Sequence, residues 1–109
     1  MGNYKLRFIG LNGCPYSQSA FELIKDNKNV DITWITQENK HKYKTTQIQT
    51  FPQIYLKKNN QEILLGGYDD LIKAIDKLKN NYNIDEFQKI YVNFNKKKTL
   101  RLAHILNQI

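Results

Sequence analysis

NGCPYSQSAFELI, residues Asn12 to Ile24, contains the single cysteine of a 109-residue chain. Asn12 and Gly13 close the run YKLRFIGL (Tyr4 to Leu11), whose alternating aromatic and branched residues predict a strand. Pro15 suits the first turn of a helix, where a missing N–H costs nothing. Ala20, Phe21, Leu23 and Ile24 then predict an apolar helix face out to Asp26. Cys14 therefore stands in a strand-to-helix turn, just ahead of a helix.

That placement matters chemically. The thiolate is the reactive form of cysteine, and a free thiol of pKa about 8.5 is mostly protonated at neutrality. Unpaired N–H groups of a first helical turn and the positive end of the helix dipole favour S⁻. The competing reading of a lone cysteine is a small buried core residue. Here Asn-Gly before it and Pro after it describe an exposed turn, which selects the nucleophile. Ser17 lies three residues on, so it shares a helix face with Cys14. Its hydroxyl is suited to donate to the thiolate but cannot resolve a disulfide. A mixed disulfide on Cys14 must then be broken by an outside thiol.

The remaining chain supplies the frame. VDITWIT (Val30 to Thr36) alternates and predicts a second, inner strand with Trp34 in the core. The polar run Gln37 to Ile48 predicts a short helix. Pro52 to Gly67 reads as two strands around a turn at Asn59-Asn60. Asp69 to Asn81 is the clearest helix, with Leu71, Ile72, Ile75 and Leu78 on one face, acids first and lysines last. Strand, helix, strand, helix, hairpin, helix describes a small α/β sandwich. From Ile84 to Ile109, DEFQKIYVNF and KTLRLAHILNQI carry helical apolar spacing on either side of NKKK. We divide the chain into residues 1–82 and a helical extension, 83–109, packed on the core or on a partner.

Composition bounds the function. Hydrophobic residues at 40% and charged residues at 25% are ordinary for a globular domain. Seventeen Lys and Arg against ten Asp and Glu give +7, a field that concentrates anions near the surface. One cysteine excludes a disulfide-stapled secreted scaffold. No apolar run approaches the roughly 20 residues that cross a bilayer. MGNYKLRF lacks a signal-peptide core, and Leu6 stands where a myristoylation signal needs Ser or Thr. The expected setting is a reducing cytoplasm, away from membranes. His41 and His104 are far apart and no Cys/His/Asp cluster has ligand spacing, so no metal site is expected. KKKTLR (Lys96 to Arg101) reads as a solvated helix flank rather than a nucleic-acid contact.

GCPYS in its strand–helix turn, TFPQIYL (Thr50 to Leu56) and GGYDDL (Gly66 to Leu71), in this order, resemble the glutaredoxins over Tyr4 to Asn81. The resemblance implies a thioredoxin-like three-layer sandwich with a central four-stranded mixed sheet, plus the extra C-terminal helices. It implies a cis Pro52 facing Cys14, with the backbone of Phe51 pairing with the cysteinyl part of glutathione. It implies that Tyr68 and Asp69 hold the γ-glutamyl end, through helix N–H groups and the Asp69 carboxylate, and that Tyr16 packs beside the tripeptide. Plain helix capping is the alternative for Asp69 and Asp70. Glutaredoxins usually carry a lysine three residues before the cysteine. Leu11 stands there, so Lys40 is selected among Lys40, Lys42 and Lys44 for the glycyl carboxylate.

The implied catalytic set is Cys14, Pro15, Tyr16 and Ser17, and the glutathione-binding set Phe51, Pro52, Tyr68, Asp69 and Lys40. With serine as the second motif residue, the implied activity is one-cysteine reduction of protein–glutathione mixed disulfides, with glutathione as co-substrate. Two alternatives stand beside it. One is a non-catalytic interaction module working through its C-terminal helices. The other is a glutathione-ligated [2Fe–2S] carrier, ranked lower because such relatives carry Cys-Gly-Phe-Ser and Pro15 stiffens the turn.

Overall fold

Lys5–Leu11 forms β1, and its alternation sends Leu6 and Phe8 to one face of a sheet and Ile9 and Leu11 to the other. A strand apolar on both faces belongs between two neighbours, and β1 has them. β2 (Val30–Ile35) pairs with it in parallel, Gly10 opposite Trp34. β3 (Gln53–Lys58) takes the other flank antiparallel, with Leu56 opposite Leu6. β4 (Gln61–Gly66) closes a hairpin with β3, and the strand order is β2-β1-β3-β4. The hairpin turns at Asn59, whose φ of 55° is a conformation asparagine tolerates.

Parallel pairing of β1 and β2 demands a crossover, supplied by α1 (Pro15–Ile24). The short α2 (Lys40–Tyr43) joins β2 to β3. Beyond the sheet follow α3 (Tyr68–Asn80), α4 (Ile84–Ile90) and α5 (Lys96–Leu106). The computed structural model describes residues 4–80, 84–90 and 94–106. The architecture is α/β, a mixed four-stranded sheet with one parallel pair and several helices. Among the described residues no helix is long and apolar enough to cross a membrane.

The main core fills one face of the sheet. Leu6, Phe8, Ile54 and Leu56 meet Ala20 and Ile24 of α1 and Leu71, Ala74, Ile75 and Leu78 of α3. Phe87, Phe94, Leu102, Ala103, Ile105 and Leu106 of the C-terminal segment join the same cluster. Asn27 Nδ2 also donates to the Ile105 carbonyl at 3.0 Å. On the opposite face Ile9, Leu11 and Ile35 form a smaller cluster, against which Cys14, Tyr43, Phe51 and Tyr55 pack.

Two expectations are corrected. β2 is an edge strand rather than an inner one, and Trp34 is half-buried. Its ring makes edge contacts with Phe8 (centroids 5.5 Å, 75°) and Phe21 (5.3 Å, 64°). The helix expected over Gln37 to Ile48 contracts to Lys40–Tyr43, because the run has no apolar stripe to seat more than one turn. In DEFQKIYVNF the helix ends at Ile90, and residues 91–93 lie outside the described residues. Asn81, the expected end of the third long helix, also lies outside them.

Candidate active site

The loop after β1 is held at several points before it reaches the thiol. Asn12 N–H donates to the Ile35 carbonyl at 2.9 Å, tying the loop to the end of β2. Gly13 has φ +83°, which a residue with a side chain rarely adopts. Cys14 N–H then donates to the Leu11 carbonyl at 3.1 Å, and Gln18 N–H to the Cys14 carbonyl at 3.0 Å. Cys14 is extended (φ −92°, ψ 117°) and is the N-cap residue of α1, with Pro15 at the first helical position. No acidic side chain lies in that first turn. Cys14 therefore stands at the end of α1 where the first-turn N–H groups lack helical partners, with no carboxylate in that turn.

The thiol is half-buried, and Sγ donates to the carbonyl oxygen of Phe51 at 3.6 Å. The Phe51–Pro52 bond is cis. Pro52 itself is fully buried, so it meets a ligand only through the backbone it shapes. The Phe51 ring is seated in the smaller cluster with Leu11 and Ile35. Gly67 packs on the same segment: a Cβ there would stand 3.4 Å from the Pro52 carbonyl oxygen.

The first turns of α1 and α3 meet beside this pair. Tyr16, 62% exposed, lies with its ring centroid 5.9 Å from that of Tyr68 at a 46° tilt. Asp69, second residue of α3, is exposed, and its carboxylate makes no hydrogen bond or ion pair among the described residues. Asp70 behaves differently. Its Oδ2 accepts the Gly67 N–H at 3.0 Å, the reach-back half of a capping box. Gly67 has no side chain to occupy the N–H groups of this turn, which leaves them free for an anion.

Ser17 is fully buried, and its Oγ accepts the Leu11 N–H at 3.0 Å. No hydrogen bond joins it to Cys14. Lys40 opens α2, half-buried, and no hydrogen bond or ion pair brings it to the thiol. The structure thus gathers Cys14, Pro15, Tyr16, Phe51, Pro52, Tyr68 and Asp69 around two helix starts. It sets Ser17 beneath the loop and leaves Lys40 on a separate element.

Sequence reasoning missed the other side of the sulfur. An open cleft of about 390 Å³ is lined by Asn12, Gly13, Cys14, Pro15, Gln18 and Trp34. Gln18 was legible, since it lies four residues after Cys14 on one helix face. Trp34 was not, because its place depends on the parallel register that sets it opposite Gly10. Behind the site, fully buried Gln53 links β3 to α2: its Nε2 donates to the Tyr43 carbonyl at 2.8 Å, and Tyr55 Oη donates to its Oε1 at 3.0 Å. Burial, then the nearby Glu62 carboxylate, raise the Tyr55 hydroxyl pKa above its ordinary value. Among the described residues no three His, Cys, Asp or Glu side chains gather to hold a metal ion.

No protein-family model matches the chain, and no curated protein sequence matches it. The functional reading rests on the residues themselves.

Proposed function

We propose that this chain is a glutaredoxin-type thiol–disulfide oxidoreductase of thioredoxin-like fold, reducing protein–glutathione mixed disulfides with one cysteine. The observation that carries this reading is the setting of Cys14. A partly exposed cysteine stands at the N-cap position of α1, its thiol contacts the Phe51 carbonyl, and the Tyr16–Tyr68 pair and the start of α3 lie close by. The strand order, with β1–β2 parallel and the rest antiparallel, is compatible with that fold.

In the proposed cycle the Cys14 thiolate attacks the glutathione sulfur of the mixed disulfide. A Cys14–glutathione disulfide forms, and the protein sulfur leaves as a thiolate that takes a proton from water. A second glutathione thiolate attacks the glutathione sulfur held on Cys14. Oxidised glutathione departs and the Cys14 thiolate returns, so the second glutathione supplies the reducing electrons. The Phe51 backbone pairs with the cysteinyl part. The α3 N–H groups take the γ-glutamyl carboxylate, Asp69 its ammonium, and Lys40 the glycyl carboxylate. A cycle fed by reduced glutathione belongs in a reducing compartment, which we take to be the cytoplasm.

The test is reduction of a glutathionylated peptide, coupled to glutathione reductase, with wild type and Cys14→Ser. Turnover in the wild type and none in the variant is expected; equal rates in the two would remove the enzyme.

A second reading is favoured by one observation on α5. Leu100, 44% exposed, lies with Lys97, Arg101 and His104 along an open groove of about 570 Å³. The two cations Lys97 and Arg101 beside one apolar residue, on a chain of net charge +7, complement an acidic protein segment with an apolar anchor. The helix would then serve as a docking face, with or without turnover at Cys14.

A further inference from the structure

We propose that Ser17 is a positioning residue that fixes the reach of Cys14, a role that rests on the reading of Cys14 as the nucleophile. The side chain has no access to solvent, so it meets neither glutathione nor a protein substrate. What it meets is the backbone on the far side of the thiol. Leu11 N–H donates to Ser17 Oγ at 3.0 Å, while the Leu11 carbonyl accepts the Cys14 N–H at 3.1 Å. Both polar groups of the Leu11 peptide environment are thus committed, one to the residue bearing the thiol and one to the helix turn beneath it.

Between these two bonds lie only Asn12 and Gly13, and Gly13 has no side chain to hold the chain in place. With Asn12 N–H tied to the Ile35 carbonyl, the hydroxyl at residue 17 supplies a second hold on this loop from the helix side and so helps set how the sulfur meets the Phe51 carbonyl. Removing it leaves the Leu11 N–H buried without an acceptor, a state the chain relieves by moving the loop. Sulfur is a weak acceptor and would not replace the oxygen. On this argument serine at residue 17 has a task of its own, beyond the absence of a second thiol.

Ser17→Thr and Ser17→Val isolate the hydroxyl from packing, because both add comparable bulk to the buried position. Ser17→Ala provides the truncation, and Thr99→Ala controls for loss of a buried hydroxyl elsewhere, since Thr99 donates to the carbonyl of Asn95, the residue before α5. Two readouts are taken: the rate of Cys14 alkylation by iodoacetamide at neutral pH, and kcat and KM in the coupled assay. From the usual worth of one hydrogen bond, Ser17→Val and Ser17→Ala slow alkylation and lower kcat by roughly fivefold, with KM for glutathione within about twofold. Ser17→Thr recovers most of what Ser17→Val loses, and Thr99→Ala stays near the wild type. Equal rates for the Thr and Val variants would overturn the proposal, whatever their stability. Alkylation is read without turnover, so an inactive wild type whose Val variant still alkylates slowly would discard the enzyme reading and keep the positioning role.

Discussion

The thiol of Cys14 and the carbonyl of Phe51 lie 3.6 Å apart, although they come from separate connecting segments, one before β2 and the other after α2. The contact is made by backbone, and what holds that backbone is the Phe51 ring in the cluster of Ile9, Leu11 and Ile35. Phe51→Ala should therefore lower kcat/KM for a glutathionylated peptide severalfold. It should also cost about 2 kcal/mol in urea unfolding, below the range for a fully buried ring. Phe51→Leu, which keeps the anchor, should retain most of both; loss of activity in the Leu variant as well would point to direct contact by the ring.

Asp69 and Asp70 are neighbours with opposite expected phenotypes. Asp69 makes no hydrogen bond or ion pair among the described residues, so Asp69→Ala should raise KM for glutathione severalfold and leave the melting temperature unchanged. Asp70 accepts the Gly67 N–H, so Asp70→Ala should cost about 1 kcal/mol, as lost caps do, with a smaller change in KM. Kinetics and thermal melts on the two variants decide between ligand binding and capping at each position.

That division was only half legible in the sequence. Acids at the start of an apolar-periodic helix announce capping or anion binding, and nothing local says which aspartate turns back to Gly67. The strand–turn–helix around Cys14 and the hairpin turn at Asn59 were readable because Gly, Pro and Asn act within a few residues. Trp34 was misplaced because alternation reports which face a side chain occupies and says nothing about strand order. The hydrogen bond expected from Ser17 to Cys14 is not made, for a related reason. Helical spacing put it on the face of Cys14, while its bond goes to Leu11 on the preceding strand.

Gly10 is required by close approach. A Cβ there would come within 2.7 Å of both Phe8 Cε1 and Trp34 Cζ3. Gly10→Ala should destabilise by about 1–3 kcal/mol, the usual cost of overpacking. Because Trp34 is the only tryptophan, its emission should shift as the ring is displaced. An unchanged spectrum and stability would mean that the rings repack freely.

Tyr55 sets an alkaline limit. Its hydroxyl pKa is raised, so its contribution to stability is complete below the ordinary tyrosine value and is lost as pH rises through the folded value. Ionisation would also end the donation to Gln53. Tyr55→Phe should be less stable at neutral pH by about 1 kcal/mol. Its stability should fall less steeply than that of the wild type once pH passes about 10. Parallel slopes in urea unfolding across that window would assign the alkaline loss to other groups.

For α5, a fluorescein-labelled peptide alternating glutamate with a single central leucine is the probe. Anisotropy should report binding that weakens with salt, by severalfold in Leu100→Ala, and disappears in the double variant Lys97→Glu, Arg101→Glu. An oligonucleotide binding more tightly than the peptide, or no binding of either, would set this face aside as plain solvated surface.

The order in which the strands are made carries a cost during synthesis. β1 emerges first and soon meets its parallel mate, but its other flank waits for the segment 53–66, and Leu6 cannot meet Leu56 until then. A ribosome-bound chain holds that interval with one hydrogen-bonding rim uncovered, the kind of template on which neighbouring nascent chains associate. Soluble yield in a heterologous host is then governed by how promptly translation delivers the hairpin.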